Sequence, residues 1–175
     1  MNIRDAAAGD LAAFTRIYGH HVRNGLGTFE EVPPDQSEMA ARLAAVRDRG
    51  FPWLTAQAED GAVTGYAYAS SFRTRSAYRF VVEDSVYVAP ERQGQGVGRT
   101  LLTELIVRCE ALGMRQMIAI IGDSGNAGSI ALHASLGFGH VGRAPSLGWK
   151  HGRWVDMVWM QRPLGPGDAE SPTET

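Results

Sequence analysis

Apolar residues recur at helical spacing near the start of the chain. Leu11, Phe14, Ile17, Tyr18 and Val22 fall on one stripe of a helix that begins after Asp10, a common N-cap residue. Ile3 and Arg4 ahead of it read as a short strand. Gly25, Gly27 and Pro33-Pro34 break the period, so 24–34 reads as a loop carrying Thr28-Phe29-Glu30. Met39, Leu43 and Val46 mark a second amphipathic helix, which stops near Gly50. The period then shortens to that of strands, at 53–58 and 63–70, with Asp60-Gly61 as a tight turn between them. An arginine-rich connection over 72–79 leads to a third strand over about 80–88, which Pro90 ends. A third helix buries Leu101, Leu102, Leu105, Ile106, Cys109 and Leu112, and Gly113 suits its C-terminal cap. The unbroken apolar run 117–121 reads as a strand covered on both faces. Asn126 opens a short helix ending at Gly137, and 138–149 and 154–161 form a hairpin about Lys150-His151-Gly152-Arg153. The order predicts an α/β (α+β) fold with one mixed sheet, as a single domain over 1–164. The segment 165–175 is polar, rich in Gly, Pro, Ser and Thr, and is expected to be disordered.

Composition adds mainly exclusions. A chain of 175 residues suits one domain, and 44% hydrophobic with 21% charged residues is ordinary for a soluble protein. A formal net charge of -2 gives no sign of a nucleic-acid surface. Cys109 is the one cysteine, so no internal disulfide can form, and no Cys/His pattern marks a metal site. No signal peptide or membrane-spanning run is visible, so a cytoplasmic protein without a membrane partner is expected.

The stretch Arg92-Gln93-Gly94-Gln95-Gly96-Val97-Gly98-Arg99 joins a strand to an amphipathic helix. Unpaired N–H groups at such a helix start suit a phosphate or pyrophosphate, and glycines let the anion approach the backbone. A nucleotide P-loop is excluded, because no Gly-Lys-Ser/Thr follows. A dinucleotide fingerprint fails at its third position, which is Arg99. A glycine-rich turn without a ligand stays open on this stretch alone.

Gln93 to Gly98 resembles at every position the Q/R-x-x-G-x-G pyrophosphate motif of GNAT acetyltransferases. Val86-Tyr87-Val88-Ala89-Pro90 and 117–121 resemble the family's splayed parallel strand pair, and the stretch from Asn126 to Phe138 resembles its following helix. Five further segments are similar to the branch that acetylates phosphinothricin and methionine sulfoximine. They are Gly27-Thr28-Phe29-Glu30, the motif from Phe72 to Arg79, Val82 to Val88, Leu132-His133-x-x-Leu136-Gly137-Phe138, and the run from Gly148 to Asp156. The resemblance covers nearly all of 3–164. It implies a mostly antiparallel twisted sheet whose splayed parallel pair binds CoA, with helices on both faces. It also implies acetyl-CoA as co-substrate, without a metal. Val86, Tyr87, Val88, Arg92, Gln93, Gly94, Gln95, Gly96, Val97, Gly98, Arg99, Asn126, Ser129 and Ser135 are then expected to hold it. Asn126 could equally be a plain helix cap.

An amine attacks a thioester only as the free base, so the site needs a proton acceptor. Glu83, just before the pantetheine-pairing segment, is the expected base, and the resemblance assigns it that role. His133 stands where many family members carry a tyrosine that protonates the leaving thiolate. His133, Tyr87, Ser135 and water remain open for that step. Backbone N–H groups near Val88 would serve the oxyanion. Arg73 and Arg75 suit a carboxylate, phosphinate or sulfoximine group, on one face if the segment is strand-like, or form a solvated loop. Tyr78 flanks them, and Phe29 and Glu30 are expected to close the opposite wall. The expected acceptor is a small amino acid analogue: phosphinothricin, methionine sulfoximine or methionine sulfone. A protein N-terminus, polyamine or aminoglycoside acceptor and a non-catalytic acyl-CoA sensor are the alternatives. The branch implies a homodimer. Trp149, Trp154 and Trp159 supply apolar surface either for that interface or for the core.

Overall fold

The computed structural model describes residues 1–172. Within them the chain runs β1 (Asn2–Asp5), α1 (Leu11–Asn24), α2 (Gln36–Asp48), β2 (Trp53–Gln57), β3 (Val63–Ser71), β4 (Val81–Val88), α3 (Val97–Ala111), β5 (Gln116–Gly122), α4 (Ala127–Ser135), β6 (Gly139–Lys150) and β7 (Arg153–Pro163). The strands form one sheet in the order β1-β2-β3-β4-β5-β7-β6. Only β4 and β5 pair in parallel, because α3 carries the chain from one to the other.

Alternation along the central strands supplies two cores, one on each face of the sheet. Leu54, Ala56, Ala67, Ala69 and Val82 meet Leu101, Leu102, Leu105, Ile106 and Cys109 of α3. Trp53, Tyr66 and Ala89 meet Phe14, Ile17, Tyr18 and Val22 of α1 with Met39, Leu43 and Val46 of α2. The stripes of α1 and α2 are thus buried against one face and that of α3 against the other, except Leu112, expected on the α3 stripe, which falls beyond the helix end and is exposed.

Asp10 departs from the expected role. It sits at the N-cap position of α1 but gives the helix no side-chain bond. Its carboxylate takes both arms of the Arg4 guanidinium at 2.7 Å, the Ala7 N–H at 2.8 Å and the Thr55 hydroxyl at 3.0 Å. Burial pushes this carboxyl up, but Arg4, Ala7 and Thr55 outweigh it and hold it below its ordinary value. Asp10 therefore ties β1 and β2 to the start of α1.

The terminal hairpin closes through His151 (φ +50°) and Gly152 (φ +72°), a two-residue turn with both residues left-handed, as strand twist favours. Trp149 and Trp154 pack edge to face at 5.4 Å on this hairpin and are 55% and 61% exposed. Trp159 is half-buried against Phe72. Residues 165–172, part of the segment expected to be disordered, turn back under Arg115, which donates to the Gly167 and Ser171 carbonyls. The same expectation for 173–175 lies outside the described residues. Among the described residues no helix is long and apolar enough to cross a membrane, and no group of His, Cys, Asp and Glu could hold a metal ion.

Candidate active site

The parallel ladder is short. Val81, Val82 and Glu83 pair with Gln116, Met117 and Ile118, and there it ends, although β4 continues to Val88 and β5 to Gly122. Ala89 donates to Thr64 of β3, so alternation turns the N–H and C=O of Val88, and of Val86 before it, away from β3 and towards the gap. Backbone groups left unpaired in this way need a partner. One of them has it: the Val88 carbonyl accepts from His21 Nε2 at 2.8 Å. The gap widens into a cleft of about 670 Å³, lined along its length by Glu83 to Val88, by Ala119 to Ile121, and by His133.

The far end of the cleft is the glycine turn. Gly94 and Gly96 have φ of +73° and +81°, and neither has a neighbour within 4 Å of where a methyl group would sit. Gly96 caps α3 without any side-chain bond, so the helix presents its first N–H groups bare. Arg92, Gln93, Gly94, Gly96, Val97, Gly98 and Arg99 line this end. That is a cradle for an anion: open space, free donors, a helix dipole and two guanidinium groups. Gly98 lets α3 approach α4 closely, since a methyl there would lie 3.2 Å from Leu132 Cδ2. Gln95 turns away and bonds the Glu91 carbonyl. Ser135 also lies outside the cleft, at the end of α4, where it accepts from Arg99 at 2.7 Å. Asn126 and Ser129 line the cleft, and the Asn126 side chain caps α4 by accepting from the Ser129 N–H at 3.2 Å. Both readings of Asn126 are thus geometrically compatible.

Glu83 stands at the fork itself. Burial first, then repulsion from Asp84, pushes its carboxyl up to about 7, against the pull of the Arg73 guanidinium. A carboxyl poised there can accept a proton near neutral pH. Asp84, next in sequence, projects to the other face and meets His133 of α4 at 3.1 Å. Sequence reasoning missed Asp84. Its only signal was its place beside Glu83, because nothing in the sequence tells which helix a strand residue will face.

The acceptor residues gather less tightly. Phe29 lines the cleft and packs against Gly148 of β6, where a methyl would come within 2.3 Å of its ring. Glu30 is held by both arms of Arg42, at 2.8 and 3.0 Å, so its charge is already paired. The chain over 72–79 is not a strand: β3 stops at Ser71, and Ser76–Tyr78 is a single 3-10 turn. Strand alternation therefore does not orient Arg73 and Arg75. Both are exposed outside the cleft lining, with Arg73 stacked over Phe72 at 5.0 Å and close enough to act on Glu83. Tyr78 packs edge to face on Phe72 at 5.7 Å. The loop over 25–34 is fastened from behind by Lys150, a buried ammonium that donates to the Thr28 carbonyl at 2.7 Å. Burial lowers the Lys150 pKa, and Glu31 and Glu30 only partly offset it.

The acetyltransferase (GNAT) family model matches residues 15–138, the span that contains the fork, the glycine turn and α4. The chain belongs to the GNAT acetyltransferase family. It is 59% identical over 163 residues to phosphinothricin N-acetyltransferase of Alcaligenes faecalis, covering 93% of this chain and 82% of that one. It is 41% identical over 165 residues to the L-methionine sulfoximine/L-methionine sulfone acetyltransferase of Pseudomonas paraeruginosa, covering 94% and 95%. The crystal structure of a GNAT phosphinothricin acetyltransferase from Sinorhizobium meliloti in complex with acetyl-CoA superposes with a TM-score of 0.96 at 54% identity, covering 99% and 93%. The expected fold, with one parallel strand pair in an otherwise antiparallel sheet and helices on both faces, is the fold observed.

Proposed function

We propose that this GNAT acetyltransferase moves the acetyl group of acetyl-CoA to the α-amine of a small amino acid analogue, namely phosphinothricin, methionine sulfoximine or methionine sulfone. The observation that carries the proposal is Glu83 at the fork of β4 and β5, a base tuned to about 7 at one end of a cleft whose other end is an anion cradle. The names of the similar proteins support the acceptor.

Acetyl-CoA fits the cleft by its chemistry. Its pyrophosphate suits the bare N–H groups at Gly96, Val97 and Gly98 with Arg92 and Arg99. Its amide-bearing arm suits the unpaired edge of β4, and Asn126 and Ser129 flank that arm. Arg73 and Arg75, beside Tyr78, are assigned the acceptor's acidic group, with Phe29 as the apolar wall. Glu83, directly or through water, takes the proton that the ammonium must lose. The amine then attacks the thioester carbonyl, whose developing negative charge lies near the Val88 N–H. The C–S bond breaks and the thiolate takes a proton from water, beside His133 in the cleft wall. Burial pushes the Tyr87 phenol well above its ordinary value, which makes it a reluctant acid. The exposed Trp149 and Trp154 offer surface for the homodimer that the branch resemblance implies.

The test is release of CoA thiol from acetyl-CoA against an acceptor panel. Turnover is expected with phosphinothricin, methionine sulfoximine and methionine sulfone, and not with spermidine or a peptide N-terminus. The reverse pattern would sink the acceptor assignment. Binding of acetyl-CoA without turnover on any amine would identify a sensor.

A further inference from the structure

The contacts of His133 fix more than its position. Its Nδ1 lies 2.7 Å from the Ser129 carbonyl oxygen, with the Ser129 hydroxyl farther off at 3.4 Å. Its Nε2 lies 3.1 Å from Asp84 Oδ2. A carbonyl oxygen and a carboxylate oxygen can only accept. With Asp84 ionised, each ring nitrogen therefore donates and the ring carries both protons. The pair is sequestered, with His133 3% and Asp84 7% exposed. Among the described residues Asp84 Oδ1 has no hydrogen-bond partner, so the imidazole is the single group that answers this carboxylate.

The groups around the pair leave that arrangement unopposed. From α3, Cys109 faces Asp84, and its thiol is pushed up to about 12 by burial and then by the charges of Asp84 and Glu110. The Phe138 ring meets His133 edge to face at 5.0 Å. Arg99 is taken up by Ser135, and Arg162 of β7 by the Leu136 carbonyl and Glu110. Glu83 is on the same strand but the opposite face. Burial alone would push the imidazole down, yet the Asp84 bond and charge, with the Ser129 carbonyl, leave it above its ordinary value.

We propose that Asp84 is a positioning residue that keeps His133 doubly protonated and fixed between β4 and α4, so that a positive charge is held in the cleft wall for the departing CoA thiolate. The proposal rests on the acetyl-transfer reading above. As the tetrahedral intermediate collapses, the C–S electron pair stays on sulfur. The imidazolium keeps both N–H bonds, to Asp84 and Ser129, and its charge stabilises the thiolate, which takes its proton from water. The proton lost by the amine has gone to Glu83, on the opposite face of β4.

Nitrogen-15 NMR of histidine-labelled protein tests the charge state without any turnover, with His133→Gln used only to assign the signal. Both His133 ring nitrogens should show N–H shifts at pH 7, and a bare ring nitrogen there would overturn the proposal. Asp84→Asn, which keeps the shape, should lower the proton affinity of His133 by about tenfold or more. The alkaline limb of kcat should move to lower pH with it, while KM for acetyl-CoA stays unchanged. A limb that stays in place would remove Asp84 from the reaction. If the variant does not fold, the wild-type spectrum still decides. Inactivity of the wild type on every acceptor would sink acetyl transfer itself, while the spectrum would still report on the pair.

Discussion

Glu83 of β4 and Ile118 of β5 form the last rung of the parallel ladder, and the cleft begins at that rung. One side does not simply fray: both strands run on, β4 held by β3 and β5 held by β7. The backbone edge that the split exposes is therefore rigid, and a ligand arm can pair with it at little ordering cost. The same split leaves Glu83 half-buried beside a second carboxylate, which is why it titrates near 7.

Replacing Glu83 by Gln should lower kcat by about 10²–10⁴-fold and leave KM for acetyl-CoA unchanged. In the wild type, kcat/KM should rise with pH through about 7 as the carboxyl loses its proton, and the Gln variant should lack this limb. Stability gives an independent check. The folded value lies above the ordinary 4.5, so ionisation of Glu83 costs stability increasingly between about 4.5 and about 7, and fully above that. The Gln variant should melt higher than wild type at pH 8 and equally at pH 4.

Arg73→Ala and Arg75→Ala should each raise KM for the acceptor by about 10–100-fold, the range expected for one charged hydrogen-bonded contact. KM for acetyl-CoA should not change. An acceptor whose carboxylate is amidated should lose most of this sensitivity. Equal KM in wild type and variants would make the arginines a solvated loop.

Gly148→Ala places a methyl group where the Phe29 ring now lies. Phe29 must move, and with it the wall of the acceptor site. Steady-state kinetics should show an acceptor-specific loss of up to about 10²-fold in kcat/KM, the scale of a misplacement near 1 Å.

Gly96→Ala asks an L side chain to hold φ near +81° at the cap of α3. The strain, about 1–2 kcal/mol, is relieved only by moving the turn. Equilibrium binding of acetyl-CoA should weaken, and the melting temperature should fall. The acceptor KM should stay unchanged.

Much of this site was legible in the chain. The stripe of α1, the alternation of β2 to β4, the apolar run of β5 and the two-residue turn at His151-Gly152 each follow from local rules of burial and backbone freedom, so their periods appear directly in the sequence. Glu83 was visible for the same reason, as a carboxylate in a strand otherwise made for burial, and Gly94 and Gly96 were visible because left-handed φ selects glycine. What tertiary structure decided was which groups face one another. Asp84 and His133 are 49 residues apart and meet only because α4 packs over the face of β4 opposite to Glu83. Glu30 is paired because α2 brings Arg42 to it, and Lys150 reaches Thr28 across 122 positions. Gln95 and Ser135 fit a motif in sequence, yet their side chains are turned by a local carbonyl and by Arg99. Period and residue type fix each element, whereas partners depend on packing between elements far apart in the chain, which no local pattern encodes.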